Sequence, residues 1–504
     1  MEKPIFNQRE YRFYEMLPGI LSWTIILFPL WGSFFIPTVV AYFVLAFLVF
    51  WFYQSFKNAI LGIIGYNKIR KTEKINWQTK YKQDKQADWL EWDKIKHIII
   101  VPNYNESAQK ISTSLQALTK QKDIDKKQIT VILAMEERAS DAHEKAEYLI
   151  EEYKGVFGNL VATFHPPDIV GEIKGKASNE AWAAKWAKKH IIDKNKWDLN
   201  YVTVTSCDAD AKFHPKYFSL FTYHFTKNPN RYYRFWQSPI FWYNNLDKVP
   251  NLIRIVGIMG NIIHVSQLQD PDRMFFNYST YSLSFKMLHE VGYWDTDIIP
   301  EDWHIFLQSY FANQGKVEVD PLLLPTSIDA PEGSGYFDAL QNRYLQCQRH
   351  AWGATDIPYA IAQAKAHPEI PWRVKILRIA KLFETHLIWT TNWFLLTLGA
   401  LLPTIVNPKF MQTSLGYNLP RFSRTILTAC LVALFIIVVL DSRLRPPELK
   451  NKSTIQKIKE LSQWILVPIA TLFMSVIPGL DAQTRLMLGK YMGFWVTPKL
   501  RQAK

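Results

Sequence analysis

Four short groups of residues have the types and spacing that chemistry needs. Asp208-Ala209-Asp210 sets two carboxylates one residue apart, just past the apolar run Tyr201–Thr205. Two such groups can share a hard divalent cation, Mg²⁺ or Mn²⁺, with substrate phosphates completing its oxygen ligands. Open α/β sheets bind ligands past the carboxyl ends of their strands, where this triplet falls. The alternative is a pair of solvated turn acids. Gly171-Glu172-Ile173-Lys174-Gly175-Lys176-Ala177-Ser178-Asn179 opens a helix with small residues and two lysines at its positive end. A helix start of that kind attracts phosphate or acidic groups, and an ordinary cap is the alternative. Pro300-Glu301-Asp302-Trp303-His304 offers an acidic pair before an apolar helix, and Gln346-Cys347-Gln348-Arg349-His350-Ala351-Trp352-Gly353 gathers polar, cationic and aromatic side chains.

The elements that must position these groups alternate in type. His97–Val101, Ile129–Ala134, Leu160–Phe164 and Tyr201–Thr205 are short apolar runs of buried-strand type. Between them, helical patterns begin near Ser107, a plausible cap, and cover 141–153 and 177–189. Such alternation predicts an α/β fold with a mostly parallel sheet covered on both faces. No GxGxxG follows the first strand, which disfavours a dinucleotide site.

Outside this region the composition changes. The chain has 504 residues, 48% hydrophobic and 15% aromatic, and the apolar residues gather at both ends. Residues 18–35 and 36–52 carry no charge, and each approaches the roughly 20 residues needed to cross hydrocarbon. Gly32-Ser33 and Pro37 predict a tight turn between them, hence a helical hairpin with Trp23, Trp31 and Trp51 near the interfaces. A soluble helical hairpin is the alternative. The N-terminus lacks the pattern of a cleavable signal peptide.

Later, 371–383 sets Trp372, Ile376, Ile379 and Phe383 against Arg373, Lys375, Arg378 and Lys381, an amphipathic helix expected to lie in the membrane plane. Spans are expected at 386–406 and 424–440, and a last apolar run covers 461–480, interrupted by Pro468 and Pro478. The loop 441–460 holds six lysines and arginines (Arg443, Arg445, Lys450, Lys452, Lys457, Lys459), which predicts a cytoplasmic loop and a cytoplasmic central domain. Cys207, Cys347 and Cys430 are too far apart in sequence for a disulfide framework or structural zinc. The formal charge of +14 suits anionic lipid or phosphorylated substrates; with no helix-turn-helix or zinc-finger spacing, nucleic acid is not an expected partner.

Taken in order, Pro102-Asn103-Tyr104-Asn105-Glu106, Gly175-Lys176-Ala177-Ser178-Asn179, the Asp208–Asp210 triplet, Glu301-Asp302 and Gln346-x-x-Arg349 resemble the motifs of family 2 glycosyltransferases, the inverting group that includes cellulose, chitin and hyaluronan synthases. The resemblance spans about 97–353 and the C-terminal membrane part. It implies a GT-A fold inserted between transmembrane helices, a nucleotide-diphosphate sugar donor (a UDP-sugar foremost), and a glycan or lipid-linked acceptor. Pro102, Tyr104 and Glu106 would line the nucleotide site, with Glu136 or Glu137 as a further acid. Lys176 would lie near the diphosphate, and Asp208 and Asp210 would approach it and its metal. Asp302, beside Glu301, would be the general base. Gln346, Arg349 and Trp352 would form the floor near diphosphate and acceptor.

Processive members usually carry the tryptophan directly after the arginine, whereas His350 and Ala351 intervene here. That departure weakens an acceptor-stacking role for Trp352 more than a diphosphate role for Arg349. Phe235-Trp236-Gln237 and Phe241-Trp242-Tyr243 are dense enough to stack on sugar, with Trp236 as the acceptor candidate; core packing is the alternative. Phe494-Trp495-Val496-Thr497-Pro498-Lys499 matches the Phe-x-Val-Thr-x-Lys gating loop of cellulose-synthase-like enzymes, which makes Thr497 and Lys499 candidate donor contacts; a plain basic tail is the alternative.

The expected organisation is a transmembrane hairpin and interfacial segment at 1–67, a basic connector at 68–94 and a GT-A domain at 95–355. Interface helices follow at 356–384, transmembrane helices at 385–480, and an interface helix with the gating-loop-like tail at 481–504. A cell-membrane enzyme results, either a synthase that elongates a polysaccharide or one that adds a single sugar to a lipid-linked acceptor. A non-catalytic membrane scaffold is the third reading, but no expected catalytic acid is missing.

Overall fold

The computed structural model describes residues 7–272 and 274–493 and resolves them into two compact units. Thr497 and Lys499 lie outside the described residues.

The first unit holds the sheet and comprises Asn67–Lys248 and Asp270–Asn342. Its strands in chain order are β1 (Lys96–Asn103), β2 (Ile129–Glu136), β3 (Asn159–His165), β4 (Val202–Ser206), β5 (Lys212–Phe213), β6 (Arg234–Gln237), β7 (Ile240–Phe241), β8 (Tyr281–Ser284), β9 (Glu318–Pro321) and β10 (Thr326–Ser327). Seven of them form one sheet in the order β3-β2-β1-β4-β8-β6-β9, and β5, β10 and β7 form a second. From β3 to β4 all pairs are parallel, while β8 runs antiparallel to both β4 and β6. The α/β class expected from the sequence is the class observed.

Runs such as Ile98-Ile99-Ile100 are apolar without alternation because helices cover both faces of a parallel sheet, and all three side chains are fully buried. Ser107 caps the helix Ala108–Thr119 by accepting from the Lys110 N–H, as its position predicts. Trp236, by contrast, stands on β6 with no exposed surface, packed among Phe221 and Phe225 at ring-centroid distances of 5.1 and 5.5 Å. It is a core residue, and the acceptor-stacking expectation gives way to the packing alternative. Trp236→Ala is expected to cost about 3–5 kcal/mol through the cavity left behind. A denaturant titration in which this variant matches the parent would contradict that.

The second unit is helical and comprises, among the described residues, 7–66, Val249–Gln269 and Arg343–Met492. Among the described residues, four helices are long and apolar enough to cross a membrane: Gln8–Phe35, Pro37–Thr72, Ser414–Leu444 and Thr454–Met487. The turn predicted from Gly32 and Pro37 falls at Ile36, whose N–H donates to the Gly32 carbonyl at 2.7 Å. Gly32 also permits a close approach, since a Cβ there would lie 2.7 Å from Val40 Cγ2. The stretch Thr454–Met487 is broken into α, 3-10 and π segments around Pro468 and Pro478, where each ring removes a backbone donor.

One boundary differs from expectation. A single helix, Trp372–Thr397, joins the basic amphipathic stretch to the first half of the span expected at 386–406. No glycine or proline interrupts those residues, and the break comes only at Gly399 and Pro403. Ser22 Oγ meets Thr390 Oγ1 and Gln483 Oε1 at 2.7 Å each, and Gln483 Nε2 donates to the His386 carbonyl at 3.1 Å. Side-chain bonds of this kind tie helices together where apolar burial alone gives little preference.

Candidate active site

The chemistry-bearing residues of the sheet unit meet at the carboxyl ends of the parallel strands. Lys176 is the first residue of the helix Lys176–Ala187. Its placement follows from its neighbours in sequence. Ser178 Oγ accepts from the Gly175 N–H and donates to the Ile173 carbonyl, which closes the helix start. Asn179 Nδ2 donates to the Ala134 carbonyl of β2 at 2.7 Å, and buried alanines at 181, 183 and 184 let the helix lie close.

Held there, Lys176 Nζ lies 3.1 Å from Asp208 Oδ1, 3.0 Å from Glu301 Oε1 and 3.6 Å from Asp302 Oδ1, and donates to the Ser279 carbonyl at 2.8 Å. Asp208 comes from the end of β4, and Glu301 and Asp302 open the helix Glu301–Ala312. Ser279 connects them. Its N–H donates to Asp302 Oδ2 at 2.8 Å, and its Oγ donates to Asp208 Oδ2 at 2.5 Å. Ser279 sits at φ +59°, in the left-handed region that non-glycine residues seldom occupy and that costs energy to hold.

Three carboxylates face the Lys176 ammonium. Burial works against the charge on Lys176, yet Asp208, Glu301 and Asp302 outweigh it and hold the ammonium well above the usual lysine range. Burial and the neighbouring Glu301 push Asp302 well above the usual carboxylate range, with Lys176 opposing. Beneath them Glu180 is fully buried and accepts from Ser206 Oγ at 2.7 Å; burial raises its pKa to about 8.

Asp210 turns to other partners. Its Oδ2 accepts from the Asp329 N–H at 2.9 Å, and its carbonyl accepts from Asn244 Nδ2 at 2.8 Å. The two acids of the triplet are therefore fixed from different directions. Among the described residues no three His, Cys, Asp or Glu side chains form a metal-ion cage. Asp208 and Asp210 offer carboxylate oxygens, the ligand type a hard ion takes when a bound diphosphate supplies the rest.

A second group lines the ends of β1, β2 and β3. Glu106 Oε2 accepts from Asn103 Nδ2 and the Tyr104 N–H, both at 3.0 Å, which fixes the turn after β1 and the Pro102–Glu106 segment with it. Glu136 pairs with Arg138 at 3.0 Å, and the Arg138 guanidinium lies 4.1 Å from the centre of the Tyr104 ring. Glu137, the other acid considered, is half-exposed and bonds His143. His165 bridges Glu136 and Glu172 at 3.6 and 2.9 Å.

Gln346, Arg349 and Trp352 belong to the helical unit. Gln346 Oε1 accepts from Arg343 at 2.9 Å, and Trp352 is buried edge-on to Tyr491 at 6.4 Å.

Solved glycosyltransferase structures align with the chain. PcManGT, a mannosyltransferase from Pyrobaculum calidifontis in complex with GDP-Man and Mn²⁺, shares 14% identity over 76% of this chain and 98% of its own, with a TM-score of 0.40. TarS 1–349 from S. aureus, in complex with UDP, shares 11% over 80% and 94%, with a TM-score of 0.36. GalNAc-T7 with UDP, GalNAc and Mn²⁺ shares 10% over 58% of each chain, with a TM-score of 0.34. No family model matches the chain, and neither does any curated protein. These are loose likenesses, and the functional reading rests on this chain's own side chains.

Three participants were not legible beforehand. Ser279 carries no sequence signal, because a left-handed serine in a loop looks like any other. Glu180 stands one helical turn after Lys176, a spacing that puts both on one face and could have been noticed. Arg138 directly follows Glu136, the last residue of β2, and Glu137.

Proposed function

We propose that the protein is a metal-dependent, inverting glycosyltransferase of GT-A type, similar to family 2 enzymes, that works at a membrane. The observation that carries this reading is the convergence of Asp208, Glu301 and Asp302 on Lys176 at the strand ends. Tyr104, Glu106 and Glu136 line the nucleotide end of the donor, and Lys176 serves its diphosphate.

In the reaction, the acceptor hydroxyl oxygen attacks the anomeric carbon from the face opposite the leaving group. The new C–O bond forms as the bond to the nucleoside diphosphate breaks, Asp302 takes the hydroxyl proton, and the diphosphate departs with the electron pair. Attack from the opposite face inverts the anomeric centre and needs one carboxylate base, whereas hydrolysis of glycosides uses two. A divalent ion bound beside Asp208 and Asp210 would neutralise charge on the diphosphate. Lys176 meanwhile keeps Asp208 and Glu301 from repelling that diphosphate.

The metal role has a direct test. EDTA is expected to abolish UDP-sugar binding in a calorimetric titration and Mn²⁺ to restore it, with Asp208→Asn weakening binding in the presence of Mn²⁺. Binding that survives EDTA removes the metal from the scheme.

The four apolar helices and the basic loop at 441–460 support a membrane protein whose sheet unit is cytoplasmic. Polysaccharide synthesis is the first product assignment. Burial of both Trp236 and Trp352 leaves neither with a free face for an acceptor chain, which favours the second, transfer of one sugar to a lipid-linked acceptor. Product sizing after incubation with UDP-sugars decides: a ladder supports elongation, and a single added sugar supports the second reading.

A further inference from the structure

Lys176 and Asp208 form a pair that is held from both sides. Lys176 Nζ lies 3.1 Å from Asp208 Oδ1, and the other oxygen, Oδ2, accepts from Ser279 Oγ at 2.5 Å. The same Ser279 accepts from Lys176 Nζ through its carbonyl at 2.8 Å. One residue in the left-handed region therefore grips the ammonium and the carboxylate together. Both oxygens that Asp208 could offer a metal ion already have a partner in place.

That arrangement sets up a competition. A divalent ion ligated by Asp208 Oδ1 would stand about 2 Å from that oxygen, and so within about 5 Å of the ammonium. The Lys176 side chain is 14% exposed, so water screens the repulsion between the two cations only in part. Glu301 at 3.0 Å and Asp302 at 3.6 Å help to keep the ammonium where it is. A nucleoside diphosphate changes the balance. It brings anionic oxygens to the start of the helix Lys176–Ala187, where the helix end and the lysine both attract them. Lys176 reaches on a flexible four-carbon stem, so its ammonium can pass from Asp208 to the diphosphate without the helix moving.

We propose that Lys176 is an internal cation standing in for the metal: without nucleotide it occupies Asp208 and keeps Mn²⁺ or Mg²⁺ weakly bound, and a nucleoside diphosphate draws it off and opens Asp208 to the ion. The inference rests on the metal-dependent reading above and deepens it, because it makes metal and donor diphosphate bind as a unit. By linkage, each then tightens the other by the same factor.

The test is a calorimetric titration of Mn²⁺ into the metal-free full chain in detergent, with and without UDP, the Mn²⁺ bound by free UDP being subtracted. Without UDP, Lys176→Gln is expected to bind Mn²⁺ roughly tenfold more tightly than the parent, a size usual for coupled sites. Lys176→Arg keeps the charge and should stay at the parental level. Adding Asp208→Asn to Lys176→Gln should remove the gain, which places it at Asp208. In the parent, UDP should tighten Mn²⁺ roughly tenfold or more, and Lys176→Gln should shrink that coupling. Equal Mn²⁺ affinity in parent and Lys176→Gln without UDP, or an undiminished coupling in the variant, would overturn the proposal and leave the metal reading standing. A parent whose Mn²⁺ affinity is unmoved by UDP would overturn it without recourse to a variant. Mn²⁺ bound by neither protein, with UDP or without it, would sink the metal reading itself.

Discussion

Asp302→Asn is expected to lower glycosyl transfer by roughly 10²- to 10⁴-fold, the span that a positioned general base contributes, while leaving donor affinity close to that of the parent. The asparagine fits the same space and can still accept from the Ser279 N–H, so the loop that also holds Asp208 stays in place. What it cannot do is take a proton. The comparison is sharpest as a split, with kcat falling and the donor Kd unmoved. Turnover at the parental rate would exclude Asp302 as the base. A companion measurement reads the electrostatics. With Asp302 held above the ordinary carboxylate range, activity should rise with pH along a limb displaced upward from that range. Glu301→Gln removes the like charge that helps displace it, so the limb should move to lower pH. An unmoved limb would mean that burial alone sets it.

Much of this site is local in sequence, and that is why it could be read in advance. A carboxylate pair after an apolar strand, a lysine opening a helix, and an acidic pair opening another are each confined to a few residues. Their elements follow from hydrophobic runs of strand length and from helical spacing. Parallel strands β1–β4 and the cap at Ser107 came through for that reason. The rest depends on contacts between residues far apart in sequence. Strand β8 pairs with β4 across the whole intervening segment 207–280, and no local pattern announces an antiparallel strand in that position. Trp236 shows the limit from another side. Aromatic density marks a sugar platform and a buried core equally well, and only the packing of Phe221 and Phe225 against its ring decides between them. The different partners of Asp208 and Asp210 were likewise beyond a motif that treats them as one unit, because Ser279 and Asp329 come from segments remote in sequence.

Lys176→Ala should be the most damaging single change at the site. It removes the ammonium that Asp208, Glu301 and Asp302 share, and breaking a buried ion cluster from one side costs about 3–5 kcal/mol. These side chains are 9–26% exposed, so water can relieve only part of that cost. The pH dependence has a definite sign. A lysine whose pKa is raised by folding contributes its stabilisation at every pH below the ordinary lysine range and loses it only as the pH rises through the folded value. The parent should therefore keep this contribution across neutral pH. The variant should recover part of its stability as the pH falls, because protonating the three carboxylates removes the repulsion that Lys176 had offset. Thermal unfolding in detergent at neutral and acidic pH measures both effects, and Lys176→Arg serves as the charge-preserving control. If the alanine variant unfolds at the parental temperature at neutral pH, the ammonium does not hold the acids together. If its deficit is the same at acidic pH, the loss is one of packing and not of charge.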